Sequence, residues 1–182
     1  MKDLPDPDLL ARAARGDRAA FDELMRRHED RVFAICLRIV RDREVALDTV
    51  QDTFLTVFRK AGQFRGESQF STWLYRVAVN TCYDHLRRRK RRPTEPLPEG
   101  FEPPDRHVDS ALSSVELRPD LTTALASLSE EFRTTLVLAD VEGFPIGEVA
   151  RILDVAEGTV KSRLHRARKE LARILGNREA WG

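Results

Sequence analysis

The sequence predicts an all-α chain: two small helical domains joined by a flexible, proline-rich linker, the second containing a helix-turn-helix. Three observations predict it. Apolar residues recur at helical spacing through most of residues 8–92 and again from 121 to 175. Between these stretches lie five of the nine prolines (Pro93, Pro96, Pro98, Pro103 and Pro104), set among Glu, Asp and Ser with no helix or strand period. Finally, a short periodic segment, a tight turn and a long basic segment follow one another near the end, which is the order of a helix-turn-helix. The boundaries implied are a first domain at 1–92, a linker at 93–115 and a second domain at 116–182.

Composition narrows the function classes. Charged residues make up 34% of the chain but nearly cancel, to a net charge of +1, so any polyanionic partner must be met by local clusters. Cys36 and Cys82 lack CxxC spacing and sit in apolar helical patterns. They read as small buried hydrophobes in a reducing cytosol, a redox pair being the alternative. No apolar run approaches the length of a membrane span and the start, MKDLPDPDLL, is no signal peptide, so the chain reads as soluble and cytoplasmic. A phosphate-loop glycine motif, an HExxH and paired CxxC motifs are all absent from the sequence. No cofactor, metal or catalytic constellation is expected, and the chain reads as a binding protein rather than an enzyme.

From Asp8 to about Arg41 the apolar positions Leu9, Leu10, Ala13, Phe21, Leu24, Val32, Phe33, Ile35, Cys36 and Ile39 form a helical pattern. Gly16-Asp17 divides it into a short helix and a longer one. These helices read as scaffold. A third helix spans Glu44 to Gln63, with Leu47, Val50, Phe54, Val57, Phe58 and Ala61 as its core stripe. Its other face carries Asp48, Gln51, Asp52 and Arg59, with Leu55 in their midst. An apolar residue ringed by polar groups is the pattern of a small protein-docking spot. Asp48 and Asp52 stand one turn apart, but no His or third ligand is spaced to join them, which argues against a metal.

A glycine-containing loop flanked by two aromatics follows, Phe64 to Phe70. Ser71-Thr72 reads as the N-cap of a fourth helix that runs to about Arg89. Its core side is Leu74, Val77, Ala78, Cys82 and Leu86; the opposite side is Trp73, Arg76, Asn80, Tyr83, Asp84 and Arg87. Aromatics interleaved with Arg and Asn suit single-stranded nucleic acid, since bases stack on rings for ~1–3 kcal/mol each while Arg holds phosphate. The competing reading has Trp73 and Tyr83 half-buried against a neighbour. Arg87-Arg88-Arg89-Lys90-Arg91-Arg92 closes the helix as an unselective phosphate attractor.

Beyond the linker, Leu121 to Leu128 and Glu130 to Val141 read as two helices, ended by Gly143-Phe144-Pro145. The short helix of the helix-turn-helix has Ile146, Val149, Ala150 and Leu153 on its apolar side. Ala150 is small where two helices cross closely, and Val160 plugs the second helix into the first. The turn runs from Asp154 to Gly158. Asp154 stands where such turns favour Gly for its positive φ, a region that Asp visits more readily than most residues. The long helix, Thr159 to Leu175, buries Val160, Leu164, Ala167, Leu171 and Leu175. It offers Ser162, His165, Arg166, Lys169 and Arg173, with Lys161, Arg163 and Arg168 at the borders. A basic, donor-rich helix face of this kind fits a DNA major groove.

The motifs FDELMRRHEDRVFAICLRIV, DTVQDTFLTVFRKAGQFRG, FSTWLYRVAVNTCYDHLRRR and VEGFPIGEVARILDVAEGTVKSRLHRARKEL, in this order, resemble the extracytoplasmic-function sigma factors, the small two-domain specificity subunits of bacterial RNA polymerase. The resemblance covers both domains and lapses in the linker and the final residues. It implies that Asp48, Gln51, Asp52, Leu55 and Arg59 grip a coiled coil of the polymerase's largest subunit, with the polymerase flap as a further contact. It implies that Arg65, Gly66, Ser68, Trp73, Arg76, Asn80, Tyr83, Asp84 and Arg87 open the promoter's −10 element and pocket a flipped base, with Arg88, Arg89 and Lys90 on phosphates. The last helix, through Lys161, Ser162, Arg163, His165, Arg166 and Lys169, becomes the −35 reader. An anti-sigma factor, membrane-anchored or not, is a further expected partner. Asp154 for Gly and Ala156 for a helix-starting Pro depart from the usual family pattern. A stand-alone helix-turn-helix regulator would account for the second domain alone and leave Leu55 and Trp73 unused.

Overall fold

The computed structural model describes residues 4–91 and 119–176; the expected linker at 93–115 lies outside the described residues. Among the described residues the chain is helical, with no strand.

The first half holds α1 (Asp6–Ala14), α2 (Arg18–Val40), α3 (Arg43–Lys60), a 3-10 turn at Ala61–Gln63 and α4 (Phe70–Arg91). The breaks between them are chemical. Asp17 caps α2, its Oδ1 accepting from the Ala20 amide at 3.1 Å, and that bond is the chief reason its carboxyl sits below the usual range. Arg41, at φ 61°, ends α2 in the left-handed region, and Asp42 then caps α3 by accepting from the Glu44 and Val45 amides at 3.1 and 3.3 Å. The start of α4 differs from expectation. The Trp73 amide donates to the Gln69 carbonyl at 3.2 Å, so helical bonding is already established before Ser71 and Thr72, which lie inside the first turn. Thr72 is buried instead, and its hydroxyl donates to Glu148 at 3.2 Å.

The second half holds α5 (Pro119–Ser127), α6 (Glu130–Leu136), a π-helical turn at Val137–Val141, α7 (Ile146–Leu153) and α8 (Glu157–Leu175). Ser129 caps α6, its hydroxyl accepting from the Phe132 amide at 3.4 Å. The segment expected as one regular helix over Glu130–Val141 thus widens to a π-helical turn in its last five residues. Gly143, at φ 73°, turns the chain before Pro145, a conformation a side chain would strain.

The core of α3 is rotated from the expected stripe. Ala46, Thr49, Thr53, Phe54 and Val57 are buried, while Leu47, Leu55 and Phe58 stay 50%, 46% and 43% exposed. Thr49 and Thr53 can enter the core because their hydroxyls donate to carbonyls one turn back, Val45 at 2.6 Å and Thr49 at 2.7 Å. With its hydroxyl satisfied, a threonine packs like a valine, and a helical wheel drawn on hydropathy misses it.

Cys36 on α2 and Cys82 on α4 are both free and fully buried. The neighbouring Cys36 thiol, together with burial, pushes the Cys82 thiol well above its ordinary value and away from the reactive thiolate.

The two halves are docked. Helix α4 packs on α7, α2 packs on α6 and the π-helical turn, and buried side chains of both halves join one apolar cluster. Ile152, outside the expected stripe of α7, is 1% exposed because α7 is covered on two sides, by α8 and by α4. Fully burying a residue of this size is worth about 1.5–3 kcal/mol, so the docking face is a real packing surface.

Candidate nucleic-acid interface

Three surfaces carry the residues that the sequence marks. The first is α3. Asp48, Gln51, Leu55 and Arg59 are exposed together, as the spacing requires. Asp52 is half-buried and faces α4, where its carboxylate meets His85 Nε2 at 2.9 Å. Leu47 and Phe58 enlarge the apolar part of this face; Phe58 rests edge-on against Phe21 with ring centroids 5.0 Å apart. Helical periodicity of the apolar residues places both in the core, where the structure does not. The signal that could have found them is the pair of threonines on the true core side.

The second surface is α4 with the preceding loop. Phe64, Phe70 and Trp73 form a tilted aromatic cluster, with Trp73 5.3 Å from Phe64 and 6.1 Å from Phe70 between centroids. His28 packs edge-on against Phe70 at 5.4 Å and is itself held by Asp6 at 2.7 Å, so α1 and α2 buttress the cluster from behind. Trp73 is therefore half-buried, and Asn80, seven residues on along the same side of the helix, is exposed. In the loop, Arg65 and Gly66 are exposed and Ser68 partly so. Gly66 has φ 71°, which lets the chain double back beside the rings.

The expected face of α4 divides in two. Asn80, Asp84, Arg87, Arg88, Arg89 and Lys90 are exposed. Arg76 and Tyr83 turn instead toward the second half. Arg76 donates through Nε to the Arg151 carbonyl at 2.9 Å. Tyr83 meets Thr134, and burial raises its hydroxyl above the ordinary tyrosine value. The basic run is not wholly solvated either: Lys90 pairs with Glu130 at 2.9 Å, and Arg89 approaches Asp42 at 3.8 Å.

The third surface is the helix-turn-helix. Asp154 adopts φ 55°, ψ 50°, and its amide and that of Val155 both bond the Ala150 carbonyl, so the left-handed turn forms without glycine. Ala156 takes the cap position in extended conformation and α8 begins at Glu157, two residues earlier than the periodicity indicates. Val160, Leu164, Ala167 and Leu171 are buried as expected. Lys161, Ser162, His165, Arg166 and Lys169 are exposed on the opposite side. Arg163 is not free: it is half-buried and pairs with Glu131 at 3.1 Å. Arg168 makes a two-pronged pair with Asp140 at 2.7 and 2.9 Å, which ties α8 to the π-helical turn and raises the guanidinium further. An open groove of about 530 Å³ runs beside this clamp, with Phe144, Ile146 and Leu164 along its apolar part and Lys161, His165 and Lys169 at its rim.

Among the described residues no group of three or more His, Cys, Asp or Glu is placed to hold a metal ion, and no helix is long and apolar enough to cross a membrane.

Comparison with known proteins bears on the same segments. Residues 24–92 match sigma-70 region 2, and residues 118–171 match sigma-70 region 4. The chain is 44% identical over 171 residues to the ECF RNA polymerase sigma factor SigM of Mycobacterium tuberculosis, covering 94% of this chain and 85% of that protein. It is 36% identical to the ECF RNA polymerase sigma-E factor of Haemophilus influenzae, covering 91% of this chain and 93% of the relative. Among solved structures, CnrH in complex with the cytosolic domain of CnrY aligns with a TM-score of 0.69 at 27% identity, covering 94% of this chain and 97% of that one. The sigma factor RpoE of Bartonella quintana, solved with the anti-sigma factor NepR, aligns with a TM-score of 0.67 at 27% identity, covering 86% of this chain and 96% of that one. On both family matches and on its identity to these relatives, the chain belongs to the extracytoplasmic-function RNA polymerase sigma factors.

Proposed function

We propose that this sigma factor acts by binding alone, dividing promoter recognition among its three surfaces. The exposed face of α3, centred on Leu55 and widened by Leu47 and Phe58, docks core RNA polymerase, with Asp48, Gln51, Asp52 and Arg59 as its polar rim. The loop at Arg65, Gly66 and Ser68 and the Trp73–Asn80 face of α4 receive the opened −10 strand. Asp84 and Arg87 extend that face, Arg76 and Tyr83 join it from its edge, and Arg88, Arg89 and Lys90 attract phosphate. Helix α8 reads the −35 element from the major groove through Lys161, Ser162, His165 and Arg166, while Lys169 meets phosphate and Arg163 does so only on leaving Glu131.

The observation that carries this reading is a partly buried aromatic cluster, on the same side of a helix as an exposed amide, in the same chain as a helix-turn-helix. A duplex reader has no use for the first. A protein that melts DNA does, because it must replace the base stacking it removes, at ~1–3 kcal/mol per base. The proteins to which the chain is similar include one solved with an anti-sigma factor, which supports a partner of that kind here, and a cytoplasmic location follows from work on the polymerase. Run-off transcription is the test. Core polymerase supplemented with this chain should initiate at a defined start on fragments selected by the reconstituted holoenzyme. A chain that shifts promoter fragments by itself and never redirects core polymerase would be a stand-alone regulator instead.

A further inference from the structure

Helices α1 and α2 do more than fill the core of the first half. Asp6, in the first turn of α1, accepts from Arg27 Nη1 at 2.9 Å and meets His28 Nε2 at 2.7 Å. Arg27 is held in turn by Glu23 at 2.9 Å and by the Leu4 carbonyl at 2.7 Å, so the Asp6 carboxylate has little freedom. A carboxylate only accepts, so His28 Nε2 donates, and that bond fixes the plane of the ring. The His28 side chain is 13% exposed, and its ring meets Phe70 at 5.4 Å with the planes at 65°. Edge-on contacts of this kind have a preferred geometry and orient both rings. Phe70 in turn touches Phe64 at 6.2 Å and Trp73 at 6.1 Å. Helix α1 also packs on the 3-10 turn Ala61–Gln63, directly before Phe64. Both ends of the loop that precedes α4 are thus fixed to α1, one through His28 and Phe70 and the other through that turn.

We propose that Asp6 and His28 are positioning residues for strand opening: they hold Phe70, and through it Trp73, in the orientation that receives an unstacked base. The inference rests on the reading of Trp73 and Asn80 as the strand-binding face. Phe64 and Trp73 are only partly buried, so Phe70, 3% exposed, is the fixed member against which they lie. Among the described residues Phe70 has three ring neighbours, and His28 is the one outside α4 and its loop. A stacking ring stabilises an opened strand only in proportion to the fraction of time it spends in the competent orientation. Anchoring Phe70 to a separate helix raises that fraction before the strand arrives. Helix α1, far from any base in the sequence reading, becomes the back wall of the melting loop.

His28→Ala in the full-length chain tests it, with Trp73 as the reporter. The sequence has one other tryptophan, so emission is read in a Trp181→Phe background. Trp73 should become more accessible to acrylamide quenching, while closed complexes with core polymerase form as in the wild type. Permanganate reactivity of −10 thymines and run-off yield on duplex should fall about fivefold to tenfold, in proportion to the competent orientation. On a template premelted at −10 most of the yield should return. His28→Phe, which keeps a ring against Phe70, should restore both quenching and opening. His28→Leu, which fills the space without a ring, should restore neither. Should His28→Ala lose its native circular dichroism, Asp6→Ala, which releases the His28 ring without emptying its place, replaces it with the same expectations. A natively folded variant that opens duplex as the wild type does, or fails equally on the premelted template, overturns the positioning role, and so does equal rescue by Leu and Phe. Failure of the underlying strand-binding reading looks different: Trp73→Ala would itself be equally defective on both templates, whatever the His28 variants do.

Discussion

Leu55 and Trp73 are apolar side chains left partly uncovered for different reasons. Leu55 is exposed on a helix whose core is already filled, partly by Thr49 and Thr53, so removing it takes nothing from the fold. Leu55→Asp should change stability by no more than about 0.5 kcal/mol and weaken capture of core polymerase about tenfold or more. Unchanged capture with native circular dichroism would place the docking face elsewhere. Trp73 belongs half to the fold, through Phe64 and Phe70, and half to the surface. Its half-burial against a neighbour was legible as the competing reading; the identity of the partners was not, because Phe64 and Phe70 lie at the two ends of a loop whose course no periodicity specifies. The positive φ of Asp154 was also legible, since the turn demands that conformation whatever residue occupies it.

At the scale of elements, α8 shows how far a helical wheel carries. Its buried stripe follows directly from the 3.6-residue repeat. Which basic residues remain free does not, because Arg163 and Arg168 are claimed by Glu131 and Asp140 from other elements. Exposed Arg166 and Lys169 are left to divide the work. Arg166→Ala should lose ~1–3 kcal/mol of discrimination at particular −35 base pairs. Lys169→Ala should weaken all sequences alike and lower the salt slope by about 1. Equal, sequence-independent losses in binding titrations would contradict the division. Helix α3 shows the opposite limit. Hydropathy assigned Leu47 and Phe58 to the core, but satisfied threonine hydroxyls turn the helix so that these two join Leu55 outside.

For the molecule as a whole, sequence periodicity identifies two helical bodies and says nothing of how they dock. That information is spread over single polar residues: Arg31 and Arg38, in a stretch that reads as scaffold, and Glu142, at the break before the helix-turn-helix. The docking engages Arg76 and Tyr83 with the second half while Asn80 stays exposed, so the expected face of α4 is split between the two. On the proposed function, the Trp73–Asn80 surface opens DNA. Its most direct test is permanganate reactivity of −10 thymines, read beside run-off yield, for holoenzyme carrying Trp73→Ala on duplex and premelted templates. The variant should form closed complexes nearly as well as wild type, show weak thymine reactivity and low yield on duplex, and regain most of its yield when the −10 region is already mismatched. An equal defect on both templates would mean that Trp73 serves only to pack Phe64 and Phe70, and that strand opening is done elsewhere.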